Sequence, residues 1–383
     1  MALLGTVVSP AGVAADRGKK DGPRIGPASE SENARADEAA AEGGRAAGGR
    51  IIGGYWVSNG SFPFVGALLD TRRGTTTYRQ QFCGGTLIDA YHVLTAAHCV
   101  SGSFAASNPT NLDVLLGQTS LSGTGGVRRD VSRVFVHPWY TGSGLILYDS
   151  AVLRLSRPVT TIRPVALPAA GSQIGLSPAN QQLTVAGWGK VQQGGDYTST
   201  HADWLKAATV PVTSASWCQQ RVGLTAAQYG AVVCAGWLDG GNNSCNGDSG
   251  GPLFGWTGTA YVQVGTVTGA FNGCAAAGSP TWCARVANPH IRAFIDAARS
   301  AQSRSGITRA LEAVDARQDP GTRLEPTDGG DDRAHADLQR PEDARKRDRD
   351  RTDRRQGEGG QAENRDPEEG GRPADAPDRP SRG

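Results

Sequence analysis

The segment Gly-Asp-Ser-Gly-Gly-Pro at residues 247–252 is the part of this sequence best suited to nucleophilic chemistry. Glycine adopts backbone angles that other residues avoid and lets the chain approach a substrate closely, which an exposed nucleophile requires. In such a turn the amide groups of Gly247 and Ser249 can point to one spot beside the Ser249 hydroxyl and stabilise an oxyanion. The motif therefore predicts a serine nucleophile with its own oxyanion hole.

A serine hydroxyl is a weak nucleophile near neutral pH, so it needs a general base that is held in place by a third group. His98, in Leu-Thr-Ala-Ala-His-Cys at 94–99, is a candidate base, and Asp149, just before the largely apolar run 151–155, is a candidate orienting carboxylate. Taken alone, the histidine is more typical of a packed side chain and the aspartate of a cap or strand edge. The three residues together, in the order His, Asp, Ser, predict a catalytic triad.

On these residues the chain resembles the chymotrypsin/trypsin family of serine endopeptidases, whose triad follows this order. The resemblance runs from about residue 51 to about residue 300. It also rests on Ile-Ile-Gly-Gly at 51–54, Cys-Gly-Gly-Thr-Leu-Ile at 83–88, Gly-Trp-Gly at 187–189 and Cys-Ala-Gly at 234–236. It implies an all-β fold of two antiparallel six-stranded β-barrels, with the active site in the cleft between them and a C-terminal helix. His98 and Asp149 would come from the first barrel and Ser249 from the second.

The resemblance implies a secreted enzyme that hydrolyses peptide bonds in protein or peptide substrates. Two alternatives stay open: a non-catalytic homologue that binds through the same fold, and an esterase that uses the same machinery. Loss of a triad member is the usual sign of the non-catalytic homologue, and no member is lost here.

An activation site is implied at Arg50–Ile51, where the leader meets the family-like region. In the family, an activating protease cuts after such a basic residue, and the new Ile51 ammonium pairs with the aspartate before the nucleophile, here Asp248. A buried ion pair of this kind acts as a switch because losing one partner is strongly destabilising. The chain is therefore expected to be a zymogen; the plain alternative is that Arg50 is one more linker arginine.

The substrate pocket departs from the trypsin pattern. Asn243 stands six residues before the nucleophile, where trypsin-like members carry the aspartate that selects Arg or Lys. Counting back from residue 274, Thr268 and Ala270 take the outer positions of the family's Ser-Trp-Gly wall segment, whose tryptophan is missing. Thr281 replaces an open-pocket glycine on the other wall; a shift of one residue would place Phe271 at the wall instead. Lost charge and narrower walls predict selection of small or medium uncharged side chains.

The cysteine content points to an oxidising compartment. The family resemblance pairs six of the seven cysteines, as Cys83 with Cys99, Cys218 with Cys234 and Cys245 with Cys274. Three disulfides imply export from the cell. Cys283 is left over and is expected to be a buried, unreactive thiol.

Composition divides the chain into three parts. Residues 1–50 are poor in large apolar side chains and are expected to be a disordered leader or propeptide. Residues 1–15 are either a weak secretion signal or simply a small-residue terminus. Residues 51–300 form the protease-like domain, and the highly charged 301–383 is expected to be a disordered tail that serves as an interaction segment, a spacer or a non-native extension.

Several classes of partner are not indicated. The formal net charge of +2 argues against nucleic acid, and no apolar stretch is long enough to cross a membrane. We expect a monomer without cofactor or metal: the loop 117–120 lacks paired acidic residues for calcium, and the cysteines are taken by disulfides.

The elements that must position the candidate site are short strands separated by Gly, Asn, Ser and Pro, as in an all-β barrel. Clear strand patterns lie at 65–69, 86–88, 113–116, 183–186 and 262–267. A helix is expected to begin at Pro289 behind an Asn288 cap, with an apolar face formed by Ile291, Phe294, Ile295 and Ala298.

Overall fold

The computed structural model describes residues 51, 54–101, 108–142, 146–172, 182–192, 200–270, 273–300 and 304–316. The predicted leader 1–50 and the part of the predicted tail from 317 onward lie outside these residues. None of the described helices is long and apolar enough to span a bilayer.

Six antiparallel strands form a closed barrel in the first half of the chain. In barrel order they are β2 (Val65–Asp70), β3 (Gln81–Asp89), β4 (His92–Thr95), β7 (Ala151–Leu155), β6 (Val127–Val136) and β5 (Leu112–Leu116). Their inward side chains are mostly Leu and Val, and closure leaves no exposed sheet edge to protect. The ends of β4 and β7 carry the two segments that contain His98 and Asp149.

A second, seven-stranded sheet occupies the other half. Its order is β1 (Tyr55–Trp56), β9 (Lys206–Pro211), β8 (Gln182–Gly187), β11 (Pro252–Trp256), β12 (Tyr261–Ala270), β13 (Thr281–Arg285) and β10 (Val232–Ala235). A bridge between Val212, just after β9, and Ala235 of β10 brings β9 and β10 together. The six strands other than β1 therefore curl into the second barrel, and the all-β two-barrel architecture expected from the sequence is confirmed.

The helices lie at the periphery. They are α1 (Thr77–Gln80), α2 (Ala215–Val222), α3 (Ala226–Tyr229), α4 (Pro289–Ser300) and α5 (Arg304–Asp315), with a 3₁₀ turn at Pro109–Asn111. Helix α4 is the expected C-terminal helix. The Asn288 side chain accepts the backbone N–H groups of His290 and Ile291, which caps the helix, and the expected apolar face is buried.

Helix α5 lies at the start of 301–383, the segment that composition predicts to be a disordered tail. Residues 304–315 are helical, and Ile307 and Leu311 are each 2% exposed. Spaced four residues apart, these side chains lie on one face of the helix, and α5 packs on α4. The charged composition of the whole tail masked this short amphipathic pattern.

Candidate active site

His98 and Asp149 meet because their strands are neighbours. Strands β4 and β7 pair with Thr95 opposite Ala151, so the segments that continue from this edge of the barrel run side by side. Asp149 Oδ2 lies 2.7 Å from His98 Nδ1, and Asp149 Oδ1 accepts the backbone N–H of His98 at 2.9 Å. The carboxylate thus holds both the ring and the backbone of the histidine, which leaves Nε2 as the nitrogen available for a proton transfer.

Electrostatics at this pair favour a charged imidazolium. Burial disfavours the charged ring, but the negative charge of Asp149 and its hydrogen bond outweigh this effect and raise the pKa of His98. Asp149 is 1% exposed, so little water screens the interaction. A histidine in this setting is well suited to accept a proton from a nearby hydroxyl.

A strained turn presents Asp149. The preceding residue, Tyr148, has φ of 52°, a left-handed conformation that is rare for an aromatic residue. The Tyr148 ring is buried and stacks on His137, with ring centroids 4.9 Å apart. The Ser150 N–H donates to the Tyr148 carbonyl at 2.6 Å. Packing of Tyr148 therefore holds the turn that aims the carboxylate at His98.

The serine turn docks on the first barrel close to His98. The Ser249 carbonyl accepts the Gly84 N–H at 2.7 Å and lies 3.6 Å from the sulfur of Cys99, the residue after His98. At Gly250, which has φ of 78°, a Cβ atom would come within 2.2 Å of Thr95 Oγ1, so only glycine fits. In the described residues the Ser249 hydroxyl and His98 Nε2 do not share a hydrogen bond. Such catalytic contacts are often long in free enzymes and shorten in complexes.

The backbone of the serine turn leaves two donors available. In the described part of the chain, neither the Gly247 N–H nor the Ser249 N–H donates to a protein acceptor. Gly247 has φ of 96°, and its carbonyl accepts a hydrogen bond of 3.0 Å from the buried Gln81 side chain. Gln81 thereby fixes the peptide between Gly247 and Asp248, which lies between the two expected oxyanion donors.

Asp248 is a fully buried carboxylate that anchors the same turn. Its two oxygens accept the backbone N–H groups of Cys245 and Gly189, each at 2.8 Å. A Cβ atom at Gly187 or Gly189 would lie within 2.5 Å of this carboxylate, so both glycines are required for its approach. Burial raises the pKa of Asp248 to about 6, although the two amide bonds and the positive charge of Lys206 act in the opposite direction.

The predicted activation residues are only partly in view. Ile51 is 1% exposed and packs in the core of the second barrel, the barrel that also carries Asp248. Its carbonyl accepts the Gly54 N–H at 2.7 Å. Arg50 lies outside the described residues, and a contact of Ile51 with Asp248 is not present among those described. Their pairing stays a prediction about the cleaved chain.

A closed hydrogen-bond network fills the floor of the expected substrate pocket. Asn243 donates from Nδ2 to the Ser279 carbonyl at 2.6 Å, and its Oδ1 accepts the Ser244 N–H at 3.0 Å and the Thr281 hydroxyl. The Ser244 hydroxyl lies 2.6 Å from the Thr281 hydroxyl. All three side chains are at most 3% exposed. The floor is therefore uncharged, and its polar groups are already satisfied within the protein.

The residues expected to form the pocket walls lie on β12 and β13. Ala270 pairs with Thr281, and Gly269 pairs with Trp282 after an irregularity in the pairing between Val267 and Gly269. Thr268 is buried at the same end of β12, beside the turn that carries Ser249. Phe271, the alternative wall residue, lies outside the described residues.

Three disulfides brace the site, joining Cys83 to Cys99, Cys218 to Cys234 and Cys245 to Cys274. The first ties β3 to the His98 segment. Cys83, His98 and Cys99 cluster within 4.8 Å, but disulfide sulfurs are not thiolates and cannot ligate a metal as thiolates do. Cys283 is a free, buried cysteine, and burial raises the pKa of its thiol, which keeps it unreactive.

Sequence reasoning missed two residues of this site, Gln81 and Ser244, and one residue beside it, Trp282. Gln81 and Ser244 are polar side chains whose partners are distant along the chain, so no local signal marks them. Trp282 was seen only as a neighbour of Thr281. Because successive side chains of a strand point to opposite faces, its place next to Thr281 in the sequence could have predicted that Trp282 faces away from the expected pocket.

Comparison with known proteins gives a consistent result. A family model described as Trypsin matches residues 51–295. A trypsin of Saccharopolyspora erythraea is 38% identical over 226 residues, covering 58% of this chain and 88% of that protein. Trypsin-1 of Astacus astacus is 33% identical over 227 residues, or 58% and 89% of the two chains. A trypsin-like protease of Streptomyces glaucescens is 35% identical over 201 residues, or 52% and 68%.

Proposed function

Because this chain belongs to the trypsin family of serine endopeptidases, we propose that it cleaves proteins through a triad of Ser249, His98 and Asp149. The observation that carries the triad is the grip of Asp149 on His98, with 2.7 Å from Oδ2 to Nδ1 and 2.9 Å from the backbone N–H to Oδ1. This grip selects the tautomer whose Nε2 accepts a proton.

In the proposed reaction, the Ser249 oxygen attacks the carbonyl carbon of the scissile peptide while His98 Nε2 takes the hydroxyl proton. The amide groups of Gly247 and Ser249 donate to the oxyanion that develops in this step. His98 then gives its proton to the leaving amine, whose bond to carbon breaks and leaves an acyl-serine. Water repeats the sequence and releases the acid. Asp149 holds the imidazole in place and stabilises the imidazolium in both steps.

Labelling with a fluorophosphonate tests the triad on protein cleaved after Arg50. Stoichiometric labelling is expected for the natural sequence and none for Ser249→Ala. Asp149→Asn should label several orders of magnitude more slowly, because the imidazole loses its tautomer and its charge partner. A cleaved, folded protein that is not labelled would instead be a binding module on a protease fold.

We also propose that the uncut chain is a zymogen. Asp248 is buried with two amide donors, and cleavage after Arg50 would add the Ile51 ammonium as a full positive charge. Without it, the turn that carries the oxyanion donors has a buried carboxylate that is costly to keep ionised. Arg50→Gln protein incubated with an activating protease should stay inactive. Full activity of this variant on peptide substrates would contradict the proposal.

The proposed preference is for small or medium uncharged side chains before the scissile bond. It is supported by the neutral Asn243 floor, in which the Thr281 hydroxyl already occupies one acceptor site. A cationic side chain would find no buried counter-charge here. Profiling cleaved protein with a peptide library measures this directly, and strong selection of arginine or lysine would contradict it.

The three disulfides favour a secreted protein, since such bonds persist in oxidising compartments. We further propose that the enzyme acts as a monomer after release by a separate activating protease. Sedimentation of the cleaved protein tests the first point, and N-terminal sequencing of the secreted form tests cleavage at Arg50–Ile51.

A further inference from the structure

Gly269 stands where the family resemblance calls for a tryptophan, yet an indole covers this position from the neighbouring strand. Gly269 of β12 pairs with Trp282 of β13. A Cβ atom built on Gly269 would lie 3.0 Å from Trp282 Nε1 and 3.8 Å from both Cδ1 and Cε2. The five-membered ring of Trp282 therefore rests against the bare backbone of Gly269, in the space that a side chain at 269 would take.

The alternation of β13 places this indole on the face opposite the pocket. Thr281 turns its hydroxyl into the pocket, where it contacts Asn243 and Ser244. Successive side chains of a strand point to opposite faces, so Trp282 points away from the pocket floor. Its side chain is only half-buried, so part of the indole stays accessible from solvent.

The edge of β12 beside this indole is open toward the nucleophile. Pairing of β11 with β12 ends at Thr266, and the Val267 carbonyl accepts the Gly250 N–H at 2.8 Å. Beyond that point, Gly269 and Ala270 pair only with β13 among the described elements. An extended substrate can add to this edge as another antiparallel strand, next to Ser249.

Strand addition fixes which substrate side chains meet the indole. The residue before the scissile bond points into the pocket beside Thr281. The residue before that one lies opposite Gly269 and points to the other face, as does the residue two positions further back. Since Gly269 has no side chain, the indole edge lies between these substrate side chains and β13.

We propose that Trp282 is a specificity-determining residue, whose indole forms an apolar wall for the substrate side chains two and four residues before the scissile bond. It substitutes from the adjacent strand for the tryptophan that position 269 lacks. The enzyme therefore prefers large apolar or aromatic side chains at these two positions. This inference rests on the proposed peptidase function and specifies its substrates further.

The test uses full-length protein cleaved after Arg50 and fluorogenic tetrapeptide amides that differ only in the second residue before the scissile bond. The natural enzyme is expected to prefer Leu or Phe over Gly at this position by about tenfold or more in kcat/KM. Trp282→Ala should reduce this ratio to near one, mainly through KM, and Trp282→Phe should keep most of it. Gly269→Ala, which pushes a methyl group against the indole, should also lower the ratio while leaving Trp282 in place.

Two controls separate a specificity role from a structural one. Trp256→Ala removes another half-buried tryptophan, at the far end of the β11–β12 hairpin, and should leave the ratio unchanged. A single-residue N-acetyl ester has no side chain to reach the indole, so Trp282→Ala should hydrolyse it at the natural rate. The inference alone would be overturned by either of two results. In the first, Trp282→Ala lowers kcat/KM equally for the ester and for all tetrapeptides. In the second, both Trp282→Ala and Gly269→Ala leave the preference for Leu or Phe over Gly unchanged. Failure of the natural protein to react with either substrate or with a fluorophosphonate would overturn the proposed function as well.

Discussion

Helix α5 should be part of the folded domain, and substitution of Leu311 tests this most directly. The Leu311 side chain is 2% exposed, on the face of α5 that packs against α4. Truncation of a buried leucine to alanine removes its transfer free energy and leaves a cavity, at a cost of about 2 to 5 kcal/mol. In a domain of this size each kcal/mol lowers Tm by about 2 to 4 °C, so the expected drop is about 4 to 20 °C.

The control lies next to it on the same helix. Glu312 is exposed, so Glu312→Ala should change the free energy of unfolding by less than about 0.5 kcal/mol. Both substitutions are made in a Ser249→Ala background to prevent self-digestion, and unfolding is followed by circular dichroism against temperature and denaturant. A Leu311→Ala protein as stable as Glu312→Ala would refute the docking of α5.

Chain truncation gives the same comparison without a cavity. Protein ending after Ala316 should keep the Tm of the full chain, whereas protein ending after Ser300 should lose the burial of α5. The second truncation also removes Asp315, whose carboxylate lies 3.0 Å from the Nε2 of His290. Equal stability of both truncated proteins would instead support the boundary at 300 that composition predicts.

The remaining predictions concern the site. Burial raises the pKa of Asp248 from 3.8 to about 6, so the folded uncut chain binds a proton at this carboxyl more tightly than the unfolded chain does. Protonation of Asp248 therefore adds about 3 kcal/mol to the free energy of unfolding below about pH 4, and this stabilisation is lost as the pH rises through 6. Denaturant unfolding of uncut Asp248→Asn should lack this slope, and an identical slope in both proteins would contradict it. Asp149 raises the pKa of His98, so Asp149→Asn should move the acidic limb of the pH profile of kcat/KM to lower pH. The same substitution should reduce kcat about 10⁴-fold, and an acidic limb that does not move would contradict the role of Asp149 as the charge partner of His98. Asn243→Asp should create measurable cleavage after arginine by adding a buried charge, as read from library profiling; cleavage unchanged from the natural enzyme would show that the floor does not contact substrate. Thr281→Gly should shift preference toward larger side chains in the same library, and an unchanged profile would place Thr281 off the pocket wall.

Local patterns were sufficient to predict most of the framework. Each predicted strand pattern falls inside an observed strand, for example 183–186 within Gln182–Gly187. The Asn288 cap and the apolar face that begins at Ile291 follow from short-range spacing alone, and the structure has both. Helix α5 had the same kind of signal in the spacing of Ile307 and Leu311, but it was hidden by averaging over a highly charged tail.

Contacts between distant segments could not be predicted from the sequence. The Nδ2 of Asn243 is satisfied by a carbonyl 36 residues away, and Gln81 supports Gly247 across 166 residues. Such pairs depend on how the two barrels place their loops, which no local pattern encodes. The sequence shows that these side chains are polar, but only the fold shows that their donors and acceptors form hydrogen bonds within the protein.

The hydrogen bonds that the pocket-floor residues form with each other affect which part of the substrate is selected. The donors and acceptors of the pocket floor already form hydrogen bonds with each other. A charged or hydrogen-bonding substrate side chain would bind there weakly, because it could form hydrogen bonds only by breaking existing ones. On the proposed specificity, discrimination depends mainly on size in the pocket and on apolar contact outside it. The indole of Trp282, which is half-buried and lies one strand from the substrate edge, would supply that contact on the opposite face. On this proposal, the neutral floor at Asn243 and the indole of Trp282 together favour an extended apolar substrate segment over a single cationic side chain.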